Sequence, residues 1–231
     1  MSRTKRMSVV LTAGLLAVAG AGVSGPGRDG DDAWTSSFLV EKGELASRGR
    51  NAYFVLEPGY TMEFEGGGDR LVIRVLDETR RVDGVETRVV EEREWEGGEL
   101  AEVSRNFYAI STRTSSVYYF GEEVDIYEDG KIARHEGAWR SGEGGARFGM
   151  MMPGDALLGA RHYQEQAPGV AMDRVEIVGV DERVETPAGV FEHCIRVRES
   201  TPLEKGTEEK LYAPGVGLLV DGKMRLTKFG G

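Results

Sequence analysis

Residues 60–75 read YTMEFEGGGDRLVIRV. Tyr60, Met62 and Phe64 alternate with Thr61, Glu63 and Glu65, the chain meets Gly66-Gly67-Gly68-Asp69, and Leu71, Ile73 and Val75 then continue on one face. Successive strand side chains point to opposite faces, so this period of two marks half-buried strands. A Gly-rich turn between two such runs marks a hairpin.

The pattern repeats in both directions along the chain. Val82-Asp83-Gly84 leads into Val85, Thr87 and Val89, Gly97-Gly98 precedes a run from Leu100 to Ile110, and Asp129-Gly130 follows the aromatic run Val117-Tyr118-Tyr119-Phe120. Asp-Gly and Gly-Gly pairs accept the positive φ angles of tight hairpins. Further alternating runs fall at 131–139, 161–166, 172–184, 191–199, 208–212, 217–220 and 224–229. With no helical period between them, a βαβ plan is excluded. The expectation is an all-β domain, a curved antiparallel sheet closed partly or fully into a barrel, with room for one short N-terminal helix. Gly179 stands where the apolar register shifts from Val175 and Ile177 to Val180, which predicts a bulge.

Arg3, Lys5 and Arg6 precede an uncharged apolar run that reaches Val23, the layout of a secretory leader. With Ala19-Gly20-Ala21 as a small-x-small cleavage site, the expected organisation is a signal peptide over 1–21, a linker over 22–50 and a single β domain over 51–231. The linker reading rests on Gly, Ser and charge, with Trp34, Phe38, Leu39 and Leu45 as scattered apolar positions. The expected location is extracytoplasmic, secreted or in the cell envelope, with membrane contact only through the leader if it stays uncleaved.

The chain carries 29 Lys and Arg against 39 Asp and Glu, a net charge of −10. Removal of the leader would take three basic residues and no acidic one, which argues against nucleic acid or anionic lipid headgroups as partners. Mixed runs such as Glu91-Glu92-Arg93-Glu94 read as a solvated face. The single Cys194 forms no intrachain disulfide, so the domain must stand on its apolar core.

No catalytic, cofactor or metal residues emerge. His135, His162 and His193 are 27 and 31 residues apart and share no metal-ligand spacing. His193 falls on the face of Phe191, Ile195 and Val197 and reads as a core histidine. A G-x-S-x-G arrangement is absent, and adjacent His193 and Cys194 point to opposite faces of a strand. GEGGARFG at 142–149 lacks the Lys-Ser/Thr and the βα setting of a phosphate loop.

Two features suggest a ligand. Met150-Met151-Met152 beside that Gly-rich stretch reads as a long loop, either an adaptable lid or a plug for the curved sheet. The central aromatics, of which alternation turns half inward, would fill a small barrel or line a pocket in a larger one. The candidate ligand-lining residues are Arg105, Phe107, Tyr119, Trp139, Met151 and Met152, with Arg105 assigned the face of Val103 and Phe107.

NAYFVLEPGY at 51–60, YYFGE at 118–122, EGAW at 136–139, QEQAPG at 164–169, TPAGVF at 186–191 and YAPGVG at 212–217 together resemble a group of exported bacterial β-rich proteins of unassigned function. Val55 departs from the Pro common at that position in the group. More distantly, 212–218 is similar to the closing segments of lipoprotein-carrier and lipocalin-like envelope proteins. The resemblance implies a shape and no reaction. The expected function is therefore a noncatalytic extracytoplasmic domain that binds an apolar or amphipathic small molecule, or a lipid, in a concave sheet. The competing expectations are an interaction domain with a filled core, facing an envelope protein, and a hydrolase with a dispersed site.

Overall fold

The structure, a computed structural model, describes residues 34–231. The expected leader and the first part of the expected linker lie outside the described residues. Among those described there is no α-helix, and one 3₁₀ turn at Lys42–Glu44 stands where a short helix was expected.

Four long strands make the first wall: β5 (Asp69–Val82), β6 (Val85–Glu96), β7 (Glu99–Ser111) and β8 (Val117–Glu128). The predicted turns join them, with Asp83 and Gly84 at φ 49° and 81°, and Gly97 and Gly98 at 56° and 91°. A second wall is formed by β14 (Arg174–Thr186), β15 (Gly189–Ser200), β16 (Glu208–Ala213), β17 (Gly217–Asp221) and β18 (Met224–Gly230), and it joins the first through β4 (Thr61–Gly66), which pairs with both β18 and β5. On the far side β8 pairs with β11 (Arg147–Met152), and also with the short β9 (Lys131–Arg134) and β10 (Trp139–Arg140).

One short stave closes the circuit. β12 (Arg161–Tyr163) pairs with β14, and β13 (Glu165–Gln166), one residue later, pairs with β11. The antiparallel sheet thus comes nearly full circle, in the form of a barrel. Glycine makes the closure possible: a Cβ on Gly149 would lie 2.2 Å from the Gln164 carbonyl oxygen. Gly121, at φ 134°, lets β10 approach β8 in the same way, since a Cβ there would lie 2.3 Å from the Trp139 carbonyl oxygen.

An eight-stranded barrel is about filled by its own side chains, and this circuit is wider. The surplus at one end is taken up by a separate hairpin, β2 (Gly49–Asn51) and β3 (Phe54–Leu56). Val55 and Leu56 are buried in the main core, and the Phe54 ring meets Tyr108 edge-on at 5.1 Å. Asn51 Nδ2 donates to the Ser115 and Pro153 carbonyls, and the Ala52 carbonyl accepts from Gly215 N–H, which pins the hairpin to the turns at that end. The opposite end carries the hairpin turns at 67–68, 97–98 and 222–223.

Residues 34–50, expected as linker, run along the outer wall. Thr35 bridges His162 in parallel, the Arg161 and Arg174 guanidinium groups stand 5.6 and 4.6 Å from the Trp34 ring, and β1 (Leu45–Ala46) pairs with β7. Phe38, Val40 and Leu45 cover a second apolar cluster on the outside of the barrel, built from residues that include Val89, Phe107, Tyr118 and Phe120. Each large apolar side chain removed from water in either cluster contributes about 1.5–3 kcal/mol.

Two local expectations meet different outcomes. The bulge at Gly179 is present, as register shifts on both sides of it. A further irregularity puts Asp181 and His193 at φ 60° and 57°, which reverses the phase of the strand before Cys194. His193 is therefore exposed, with Nδ1 2.6 Å from Asp181 Oδ1, while Cys194 and Ile195 are fully buried.

Candidate functional site

The barrel interior is part apolar and part acidic. Leu71, Ile73 and Val75 of β5 share one apolar face, with Val75 opposite Val90 of β6. The next inward position on β6 is Glu92, opposite Ile73, and the one after is Glu94, opposite Leu71. Alternation thus carries the strand from an apolar wall into a carboxylate belt, while Glu91 and Arg93 form an ion pair at 2.7 Å on the outer face.

A hollow of about 80 Å³ lies where the two regions meet, walled by Leu71, Ile73, Val75, Val90 and Leu218 and bordered by Tyr108, Tyr212, Glu92, Lys210 and Asp221. The pairing of β16 with β17 sets Lys210 opposite Asp221. Lys210 Nζ lies 2.7 Å from Glu199 Oε2 and 3.6 Å from Asp221 Oδ2. Burial alone would pull this ammonium down, but the Asp221 and Glu199 carboxylates override it and hold its pKa well above the ordinary value. Asp221 is 3% exposed, and its carboxyl group shares a side-chain hydrogen bond with Glu208.

Carboxyl groups from other strands face the same interior. Burial, reinforced by the Asp221 and Glu199 charges against the opposing pull of Lys210, pushes Glu92 up to about 7. Burial together with neighbouring carboxylates pushes Glu94 and Glu122 up to about 8 and Glu102 to about 7. Glu165 is raised well above the carboxylate range by burial and by Glu122, and its Oε2 is without a hydrogen-bond partner. Asp173 rises to about 6 and Glu208 to about 7, burial being the first cause in both.

Four of the residues singled out in the sequence reach the interior. Tyr119 stacks on Tyr108 at 4.6 Å, meets the Trp139 ring edge-on at 5.4 Å and donates its hydroxyl to Asn106 Oδ1. Trp139 is 6% exposed, with its indole Nε1 unpartnered. Met151 lines the hollow, and Met152 is buried in the main core. The methionines stand in the wall strand β11 and not in a loop, with Met150 turned to the outer cluster.

Arg105 and Phe107 do not reach it. They share a face as expected, but it is the outer one: Phe107 is buried in the outer cluster, and Arg105 pairs with Glu91 at 3.5 Å and Asp125 at 3.6 Å. The apolar strap at 34–46 makes the outer wall as hydrophobic as the inner one there, so alternation alone does not distinguish them. Glu92 and Glu94, expected on a solvated face, instead turn inward, and Lys210 and Asp221 are interior residues that no motif marks. The signal available was phase, because Val90, Glu92 and Glu94 stand two apart on one strand, as do Lys210 and Tyr212.

The interior is thus an acceptor-rich chamber against an apolar wall. Among the described residues no group of three or more His, Cys, Asp or Glu is arranged to hold a metal ion. The histidines are dispersed: His135 lies 2.9 Å from Asp125 Oδ1 at the surface, and burial pushes His162 down to about 4.

No protein-family model matches the sequence, and no curated protein matches it. Among solved structures, the crystal structure of a "putative lipoprotein" from Parabacteroides distasonis aligns at 11% identity, covering 79% of this chain and 100% of that chain, with a TM-score of 0.37. A likeness of that degree supports no inference about function.

Proposed function

We propose that the chain is a noncatalytic extracytoplasmic domain that holds a small apolar or amphipathic ligand inside its barrel. The exported location rests on the leader pattern at Arg3, Lys5, Arg6 and the apolar run behind them. The ligand reading rests on one observation, the hollow beside Leu71, Ile73, Val75, Val90 and Leu218, closed at one end by the β2–β3 hairpin. Drug-sized ligands occupy roughly 300–1,000 Å³. The hollow, at about 80 Å³, suits a short alkyl chain or a small ring and is too small for a lipid tail.

Saturation-transfer NMR of the native protein with 1-hexanol and cyclohexanol tests this reading. Signal transfer from the protein is expected, together with its loss in Ile73→Trp, which fills the hollow from the wall. An absence of transfer to either probe would remove the ligand reading. It would leave an interaction domain with a filled core, for which the exposed Leu157 and Leu158, 66% and 65% accessible, offer the contact surface for an envelope protein.

A further inference from the structure

We propose that a recess on the outer wall, over β12, β14 and β15, binds the phosphate or sulfate group of a small oxyanion ester. The site lies outside the barrel and is independent of the interior-ligand reading.

Strand register builds the recess. Val175 and Val197 turn into the main core, so alternation turns Arg174, Glu176, Arg198 and Ser200 outward. Pairing sets Arg161 opposite Glu176, Glu176 opposite Arg198 and Arg174 opposite Ser200. Guanidinium groups from three strands therefore meet over one patch, and the Trp34 indole and Thr207, just ahead of β16, complete a recess of about 300 Å³. Glu176 is the one acidic side chain among the described residues that line it. In a chain of net charge −10 this places a donor-rich pocket on an otherwise acidic molecule.

The bonds already made fix the guanidinium groups and leave donors over. Each guanidinium carries five N–H donors and no acceptor. Arg161 gives Nη2 to Glu176 Oε1 at 3.0 Å, and Arg198 gives Nη2 to Glu209 Oε1 at 3.1 Å. Glu209 is shared, because Arg196 Nη1 lies 3.0 Å from its other oxygen. Arg174 Nε donates to Ser200 Oγ at 3.2 Å, and the Arg174 and Arg161 guanidinium groups both stand within 6 Å of the Trp34 ring, which attracts and orients them.

The arrangement selects the ligand. Arg recognises oxyanions through paired, parallel N–H bonds. A phosphate or sulfate monoester presents three terminal oxygens to these three side chains and the Ser200 and Thr207 hydroxyls, whereas a carboxylate presents only two. The Arg161 and Arg198 side chains are 38% and 43% exposed, so a ligand reaches them without any opening of the fold.

Calorimetric titration of the native protein at pH 8 and low salt with phenyl phosphate, phenyl sulfate and benzoate tests the proposal. Both esters should bind, at least about tenfold tighter than benzoate. Arg174→Gln and, separately, Arg198→Gln should each weaken ester binding by about tenfold, as loss of a charge-assisted hydrogen bond does. Arg198→Lys, which keeps the charge and loses the planar fork, should fall between. Arg48→Gln, which removes an exposed guanidinium elsewhere, should leave ester affinity unchanged, and urea titration confirms that each variant is folded. Benzoate bound as tightly as the esters, ester binding indifferent to Arg174→Gln and Arg198→Gln, or no ester binding would overturn the proposal. Sedimentation with phosphatidylglycerol vesicles without binding of either free ester would overturn it too, in favour of a membrane phosphate at this recess.

Discussion

Lys210 donates to Glu199 across 2.7 Å inside the barrel, each side chain only 12% exposed, so one ammonium anchors a chamber otherwise lined by carboxyl groups. Removing one partner of a buried ion pair strands the other charge, at a cost of about 3–5 kcal/mol. Lys210→Met should lower unfolding free energy by about that amount at pH 8 and by clearly less at pH 5, where the stranded carboxylates take up protons. Urea titrations at the two pH values measure it. A neutral substitution at pH 8 would mean that water already solvates these charges.

The raised carboxyl groups fix how stability varies with pH. Burial holds Glu92 at about 7, Glu94 and Glu122 at about 8 and Asp173 at about 6, all above their unfolded values. The folded protein therefore binds more protons than the unfolded chain, and their contribution is fully present below about pH 4 and lost as pH rises through 6 to 8. His162, pushed down to about 4 by burial, works in the opposite direction, and as a single group it is outweighed. The urea midpoint should accordingly fall between pH 5 and pH 8.5. A midpoint that rises over that interval contradicts the buried acidic interior.

Much of the scaffold is legible in the sequence because turn chemistry is local. Asp83-Gly84, Gly97-Gly98 and Asp129-Gly130 adopt positive φ angles as their residue types require, and the strands they join follow. Facing is less legible, because it depends on what covers each wall. Phe107 reads as interior by its size, yet Phe38 and Val40 supply it with a core on the outside. Counting in twos places His193 inside, and an irregularity at Asp181 and His193 reverses the count. The carboxylate belt was hidden by composition: on β6, Glu91 and Glu92 are adjacent identical residues with opposite fates, one ion-paired on the outer wall and one beside the hollow.

The strap at 34–46 gives an expectation for the N-terminal boundary. Phe38 packs against Tyr118 at 5.8 Å and Phe148 at 6.5 Å, and Lys42 Nζ lies 2.6 Å from Asp83 Oδ1. Limited proteolysis should leave a resistant core that begins near Trp34, not near Asn51. Phe38→Ala should cost about 1.5–3 kcal/mol, the worth of one large apolar side chain, and should move the first cleavage site toward Asn51. Cleavage near Asn51 in the unsubstituted protein would show the strap to be unattached.

Cys194 is fully buried, and burial raises its thiol above the ordinary value, ahead of smaller contributions from nearby Glu182 and Glu192. A thiol in that setting is a poor nucleophile. It should resist a thiol-specific reagent at pH 8 in the native protein and react at once in urea, with the protein remaining free of disulfide-linked dimer on nonreducing gels. Rapid native labelling would place β15 away from the core.

The location of the ligand tests the account most directly. In a titration of methyl-labelled protein with 1-hexanol, followed by NMR, the largest shift changes should fall on Leu71, Ile73, Val75, Val90 and Leu218, with Val82, Val85 and Val89 of the outer cluster unmoved. Shift changes confined to the exposed Leu157 and Leu158, or none at all, would contradict a barrel that binds its ligand within.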